Sequence, residues 1–216
     1  MKHLFYTIIA LFLMASCQQE ELPQEENAVG YLVLENLFLS VNNVSCVPTK
    51  AVDSDLYVEI VDNVTYAPGK VPSSIKLTPG TYTLRVYNSK TCQSNKPWYL
   101  AEEQISIEAG EVNHVSIKVP LKNVGVRLSL PADFDDLFSY TFSVSQGDES
   151  KQIENGETCY FESVTNGPIS YSLAGTNADD EPITGSNASG SISNAANGNI
   201  YVITYNYPTK SLSLQE

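Results

Sequence analysis

One stretch of the sequence decides the fold: His114-Val115-Ser116-Ile117-Lys118-Val119-Pro120-Leu121-Lys122-Asn123-Val124-Gly125-Val126-Arg127-Leu128-Ser129-Leu130. Its apolar residues alternate with polar ones up to Leu121, and the alternation resumes at Val124. A period of two is typical of β-strands that bury one face. Because only Lys122 and Asn123 separate the two strands, there is no room for a long linker. We therefore predict that the chain leaves one β-sandwich here and enters the next almost directly.

The same alternation recurs elsewhere in the chain. It indicates further half-buried strands near residues 56–60, 82–86, 138–144, 169–173 and 200–205. Gly, Pro, Asn and Asp residues separate the strands, which is the rhythm of β-sandwich proteins. We predict an all-β fold of two tandem Greek-key sandwich domains, residues 30–120 and 121–216. A single sandwich formed by both halves is the alternative.

The N-terminal segment has the pattern of an export signal. A short positive start and an apolar run at Leu4–Leu13 precede Ala15-Ser16-Cys17. The run has about half of the ~20 residues that a membrane-spanning helix needs. The pattern resembles a bacterial lipoprotein signal, which implies removal of residues 1–16 and attachment of lipid to Cys17. An ordinary secretory signal with a chance cysteine is the alternative.

Residues 17–29 are predicted to form an acidic tether. The segment contains four glutamates and no base, so it cannot bury enough apolar area to order itself. An acidic run after the lipidated cysteine also resembles the signal that sends Bacteroidetes lipoproteins to the outer face of the outer membrane. We therefore expect a lipid-anchored, surface-exposed protein of the outer membrane. A solvated linker without an address is the alternative.

The charge of the chain limits its partners. The formal net charge is −13, and the predicted mature chain is one unit more negative because the signal contains Lys2 and no acid. Such a surface repels nucleic acid and anionic lipid headgroups. We therefore expect no nucleic-acid partner. We expect the protein to bind the membrane through lipid on Cys17.

Several short motifs resemble known families. The stretch Leu77–Leu84, with a Pro-Gly turn, resembles the hairpin of transthyretin-like β-sandwich modules. The chain also looks like a member of the DUF4493 family of Bacteroidetes lipoproteins, on the stretches Gly30–Leu34, Thr49–Ala51, Pro97–Tyr99, Ile105–Glu111 and Leu121–Val126. That family is similar to fimbrillin-type proteins, the two-domain transthyretin-like subunits of lipid-anchored surface pili.

The resemblance implies a fimbrillin-like pilus component or adhesin that acts through protein–protein contacts at strand edges. In fimbrillin-like proteins one subunit is thought to add a strand to a groove in the next. The candidate strand donor or edge is Ile200–Leu214, in which Ile200, Val202 and Thr204 face one way. An ordinary final strand is the alternative, since exposed edges are normally protected.

The sequence offers little catalytic or metal-binding chemistry. His114 is the only histidine outside the predicted signal, and catalytic triads and histidine metal sites need more than one isolated imidazole. The acidic stretches Asp133–Asp136 and Asn177–Glu181 do not match the EF-hand spacing. We predict no enzyme, no metal site and no cofactor.

Three cysteines remain beside Cys17. Cys46 and Cys92 both fall in the predicted first domain and either form a disulfide or remain two core thiols. Cys159 follows the alternation of a strand and is expected to be buried. The odd count leaves at least one thiol without an internal partner.

Trp98 and Tyr99 form an aromatic pair outside the alternating runs. An exposed pair could contact a ligand by stacking on a sugar ring, or anchor a protein partner. Packing between the domains or over a core edge is the other interpretation, since large aromatic residues are usually mostly buried. The sugar contact suggests an alternative function, a carbohydrate-binding surface lipoprotein of a glycan-uptake system.

Overall fold

Nearly all regular structure in this protein is β-strand. The computed structural model describes residues 28–43, 55–162, 164–183 and 188–215. Its strands are β1 (Gly30–Ser40), β2 (Tyr57–Ile60), β3 (Val64–Tyr66), β4 (Ile75–Leu77), β5 (Gly80–Tyr87), β6 (Leu100–Ile107), β7 (Val112–Pro120), β8 (Val124–Ser129), β9 (Phe138–Gln146), β10 (Glu149–Gln152), β11 (Thr158–Phe161), β12 (Ile169–Asn177), β13 (Ser189–Ile192), β14 (Ile200–Asn206) and β15 (Ser211–Gln215). A four-residue helix, α1 (Phe134–Leu137), and a 3-10 turn at Val164–Asn166 complete the described structure. The predicted all-β class is confirmed.

The first sandwich consists of two sheets around one core. The sheet orders are β4-β1-β7 and β3-β2-β5-β6. The alternating residues of both sheets point inward and bury a continuous apolar cluster, as expected for packed sheets. Members of this cluster with no exposed surface are Leu32, Val58, Ile60, Leu84, Val86, Ile117 and Val119.

The second sandwich has its own two sheets and its own core. The sheet orders are β11-β8-β14-β15 and β10-β9-β12-β13. Fully buried members of its cluster are Val124, Val126, Leu128, Phe134, Val144, Cys159, Ile169 and Ile203. The change from one core to the other falls between Val119 and Val124. The exact domain limits, 30–120 and 121–216, remain a prediction.

The second sandwich repeats the strand order of the first, seven strands later. β1 lies between β4 and β7 in the same way that β8 lies between β11 and β14. In both sandwiches the first strand is antiparallel to one neighbour and parallel to the other. The strand β15 breaks the repeat, because it pairs antiparallel with β14 and has no counterpart beside β7 among the described residues.

One local expectation from the sequence is wrong. The segment between β4 and β5 was expected to be a hairpin turn, but β4 pairs with β1 and β5 pairs with β2 and β6. Thr78 and Pro79 therefore cross from one sheet to the other. The Tyr82 hydroxyl donates to the Thr78 carbonyl oxygen at 2.8 Å and holds this crossing. A Pro-Gly pair marks a change of direction, and long-range pairing decides which strands it joins.

The two sandwiches follow one another end to end. The parallel strands β1 and β7 both finish at the junction, where the Leu121 N–H donates to the Ser40 carbonyl oxygen at 2.8 Å. The parallel strands β8 and β14 both start there. The segments after β8 and β14 therefore lie at the end of the second sandwich farthest from Gly30. We call this end the distal end.

Candidate functional site

The outer side of β7 is an open strand edge within the described part of the chain. β7 pairs with β1 on one side and with no described strand on the other. Its solvent-facing side chains include Val112, which is 52% exposed, and His114, whose Nδ1 lies 3.0 Å from Glu35 Oε1. The pairing register of β1 and β7 shifts at Glu35. This bulge increases the local twist and turns the glutamate toward the histidine.

The predicted donor or edge residues Ile200, Val202 and Thr204 lie in β14, which is an interior strand. β14 is paired with β8 on one side and with β15 on the other, so the three residues do not form an edge. The reason is local: the turn at residues 207–210 brings Ser211–Gln215 back against β14. The edge of this sheet is therefore β15, and strand donation stays a prediction.

Asn123 joins the two sandwiches through its buried side chain and its backbone oxygen. Asn123 has no exposed surface. Its Oδ1 accepts from the Trp98 N–H at 3.1 Å, and its Nδ2 donates to the Lys96 carbonyl oxygen at 2.8 Å. Its backbone oxygen accepts from the Gly198 N–H at 2.8 Å. One residue thus holds a loop of the first sandwich and a loop of the second.

A second set of hydrogen bonds crosses the junction nearby. The Asn43 side chain accepts from the Ile200 N–H at 2.9 Å and donates to the Ile200 carbonyl oxygen at 2.8 Å. The Asn42 N–H donates to the Gly198 carbonyl oxygen at 2.8 Å. Gly198 has a φ of +85°, and a Cβ there would lie 2.5 Å from Asn42 Nδ2. Only glycine fits this close approach without strain.

Trp98 and Tyr99 lie beside this junction and are half-buried. The Trp98 indole N–H donates to the Ser89 carbonyl oxygen at 3.0 Å, and the Trp98 carbonyl accepts from the Lys122 N–H at 2.7 Å. The Tyr99 N–H donates to Asn88 Oδ1 at 2.9 Å. These bonds fix the backbone of both residues and the ring plane of Trp98. They give both residues a structural role, whether or not a ligand also contacts them.

An open groove of about 420 Å³ borders Trp98. Its other lining side chains include Asp55, Tyr57 and Lys96. Tyr57 is 38% exposed and stacks on Tyr87 with ring centroids 5.5 Å apart. The groove therefore combines the aromatic surface of Tyr57 and Trp98 with a mostly polar lining.

A cluster of charged residues covers the outer face of β2 and β5. Arg85 contacts Glu59 at 3.2 Å and Glu102 at 2.5 Å, and Lys90 contacts Glu59 at 3.3 Å. Burial acts to raise the pKa of Glu59, but the hydrogen bonds from Lys90 and Arg85 outweigh it and the pKa is lowered. The acidic residues on this face are therefore matched by bases.

The described cysteines have different surroundings. Cys159 is fully buried, as expected, and burial raises the pKa of its thiol to about 11. Cys92 is half-buried with its Sγ 3.7 Å from Asn123 Nδ2, and burial raises the pKa of its thiol. Cys46 lies outside the described residues, so the Cys46–Cys92 disulfide stays a prediction. Cys17 lies outside them as well.

The described residues form neither a metal site nor a membrane-spanning helix. No group of three His, Cys, Asp or Glu side chains in this part of the chain is placed to hold a metal ion. No helix in residues 28–43, 55–162, 164–183 and 188–215 is long and apolar enough to cross a membrane.

Sequence reasoning missed two features of this region. From the sequence, Asn123 is placed only in the link between two strands. Its position, a polar residue between two strictly alternating runs, is the signal that could have identified it. The open edge of β7 could not be foreseen, because strand order depends on pairings between residues far apart in the chain.

The chain was compared with known proteins. A family model described as "Domain of unknown function (DUF4493)" matches residues 31–214. A solved structure of a proposed cell adhesion protein from Bacteroides uniformis aligns with a TM-score of 0.44 and 10% identity over 88% of this chain and 99% of that chain. A proposed cell adhesion protein from Bacteroides ovatus aligns with a TM-score of 0.43 and 12% identity over 86% of this chain and 95% of that chain.

The TIE protein of Bacillus anthracis aligns with a TM-score of 0.33 and 14% identity. The alignment covers 82% of this chain and 33% of that chain, so this chain spans about a third of that protein. Among curated proteins, none matches the chain.

Proposed function

The chain belongs to the DUF4493 family, and we propose that it is a non-enzymatic, lipid-anchored cell-surface protein, a fimbrillin-like pilus component or adhesin. In this proposal lipid on Cys17 holds the protein at the outer membrane and residues 17–29 form the tether. The two sandwiches then project from the membrane. Partners bind through hydrogen bonds at strand edges.

One observation carries the proposal: β7 has no strand neighbour among the described residues at the position where β14 is covered by β15. The repeat of strand order makes β7 and β14 equivalent, so the second sandwich shows how an added antiparallel strand sits on such an edge. β7 is nine residues long, enough for several main-chain hydrogen bonds to an extended segment. A long unpaired strand is a template for another chain unless it is covered or charged; β7 carries a single lysine, Lys118, close to its end at Pro120, which leaves Val112–Ser116 without a lysine.

A lysine on β7 tests the proposal. Ser116 is exposed on β7, and Ser116→Lys places a charged side chain on the edge strand, which disfavours pairing with a further strand. We expect this variant to lose association between copies, or adhesion of expressing cells, in sedimentation and cell-binding assays. Thr65→Lys on the short edge strand β3 is the matched control and should behave as wild type. Equal behaviour of the two variants would remove β7 as the contact.

A second candidate function is carbohydrate binding at the groove beside Trp98. The exposed ring of Tyr57 and the half-buried ring of Trp98 offer stacking surface next to polar side chains. We expect Tyr57→Ala to weaken retention on immobilised polysaccharide while the protein stays folded, with a small fall in the unfolding temperature because the ring stacks on Tyr87. Tyr31→Ala is the control, because Tyr31 is 37% exposed but lies on the other sheet. Retention unchanged in both Tyr57→Ala and Trp98→Ala would exclude this function.

A further inference from the structure

A groove of about 500 Å³ opens at the distal end of the second sandwich. It lies beside the beginning of β9, where the sheet is incomplete. β12 pairs with β9 from Phe138 to Gln146, whereas β10 pairs only with Ser143–Gln146. After β10, the Ile153 N–H donates to the Phe142 carbonyl oxygen. The outer side of Phe138–Thr141 therefore has no strand neighbour among the described residues.

The floor of this groove is apolar and aromatic. Phe138 and Tyr140 are half-buried and line it, together with Ile153. Both rings pack on Phe134, which is fully buried, with centroid distances of 4.8 Å and 5.3 Å. The aromatic surface is thus held rigidly from below and remains open to solvent above.

Three carboxylates form the rim of the groove: Asp135, Glu154 and Glu157. Asp135 Oδ1 accepts from the Tyr140 hydroxyl at 2.7 Å, and Glu157 Oε2 accepts from the Glu154 N–H at 3.0 Å. Burial, followed by this bond to Asp135, raises the pKa of Tyr140 to about 12. The tyrosine therefore stays a neutral donor at physiological pH and adds no charge to the rim.

No basic side chain of the described residues forms an ion pair with the rim carboxylates, in contrast to Glu59 in the first sandwich. No lysine or arginine of the described residues forms an ion pair with Asp135, Glu154 or Glu157, whereas Glu59 contacts both Arg85 and Lys90. Three negative charges around one apolar floor create a local negative potential that a cationic partner would neutralise.

We propose that this groove binds an extended, arginine-containing segment of a partner protein. The Phe138 N–H already donates to the Phe134 carbonyl oxygen, and the rest of the open side of Phe138–Thr141 offers main-chain hydrogen bonds to an extended chain. A guanidinium group fits the combination of aromatic floor and carboxylate rim, because it stacks on rings and pairs with carboxylates at the same time. The site is separate from the edge of β7, so its test does not depend on that proposal.

The test uses a synthetic peptide of alternating arginine and leucine residues as the probe. Its binding to the chain from residue 17 onward is measured by fluorescence anisotropy. The triple variant Asp135→Asn, Glu154→Gln, Glu157→Gln should weaken binding roughly tenfold or more, because three partly exposed ion pairs are lost. A matched peptide with lysine in place of arginine should bind more weakly than the arginine peptide.

The matched control removes the same charge from the first sandwich. Glu108 and Glu111 lie in the turn between β6 and β7, Glu103 lies in the middle of β6, and all three are exposed. The triple variant with glutamine at these positions should bind the arginine peptide as wild type does. Equal weakening in both triple variants would show attraction by overall charge only and overturn the proposal. No measurable binding of the peptide to the wild type would overturn it as well.

Discussion

At the scale of single residues, Asn123 shows how one buried amide can fix the geometry of two domains. The oxygen and the nitrogen of its side-chain amide are both used, on the Trp98 N–H and the Lys96 carbonyl oxygen, so no polar atom of this buried side chain is left without a hydrogen bond. The alternation around Asn123 predicted the two strands correctly. It could not predict these partners, because they come from a loop that the chain passes about 25 residues earlier.

The prediction for this residue is a loss of stability. Asn123→Leu keeps a similar volume but leaves the Trp98 N–H and the Lys96 carbonyl without a partner. We expect the free energy of unfolding to fall by about 1–3 kcal/mol, the cost of one buried group left without a hydrogen bond, because Trp98 is half-buried whereas Lys96 is exposed to water. Urea denaturation followed by tryptophan fluorescence measures it. Asn63→Leu, in an exposed turn, is the control, and an equal effect there would contradict the argument.

Glu59 gives a prediction about pH. Its folded-state pKa is lowered, although burial opposes the hydrogen bonds from Lys90 and Arg85 that lower it. A lowered carboxyl pKa adds stability above the ordinary value of 4.5, and this contribution is lost as pH falls through the folded-state pKa. The wild type should therefore lose more stability on acidification than Glu59→Gln. Parallel thermal-melting curves across the acidic range would contradict this.

At the scale of elements, strict alternation predicted the strands that bury one face. β5, β7, β8, β9, β12 and β14 follow it. β10 and β13 were not singled out, because their residues are mostly polar and exposed and their pairing comes from neighbouring strands. The helix α1 has only four residues, too few to produce a helical period. β15 is the element whose position matters most for function.

Deleting residues 207–216 removes β15 and opens the edge of β14. Tyr207, Leu212 and Leu214 are half-buried against the core, so we expect a loss of about 3–5 kcal/mol. A synthetic peptide of residues 207–216 should raise the melting temperature of the truncated protein, because it fills the same edge. A peptide with the same residues in scrambled order is the control. Equal effects of the two peptides would mean that β15 does not act as a separable strand.

At the scale of the whole molecule, the end-to-end arrangement gives the two ends different environments. β1 begins at the end nearest the predicted tether, and the segments after β8 and β14 lie at the other end. The sequence predicted two sandwiches joined without a linker. It could not predict that hydrogen bonds from Asn42, Asn43 and Asn123 would cross the junction. If lipid on Cys17 anchors the tether, a junction held by these hydrogen bonds keeps the distal end away from the membrane.

This arrangement leads to a prediction about intact cells. If lipid on Cys17 anchors the tether at the cell surface, protease added outside the cells should remove the wild-type protein, as seen by immunoblot. The Cys17→Ser variant should no longer sediment with the membrane fraction, because the chain then has no lipid. A periplasmic marker that stays intact controls for cell lysis. Complete protection of the wild type would place it on the periplasmic side, and a strand edge or groove there could meet only periplasmic partners.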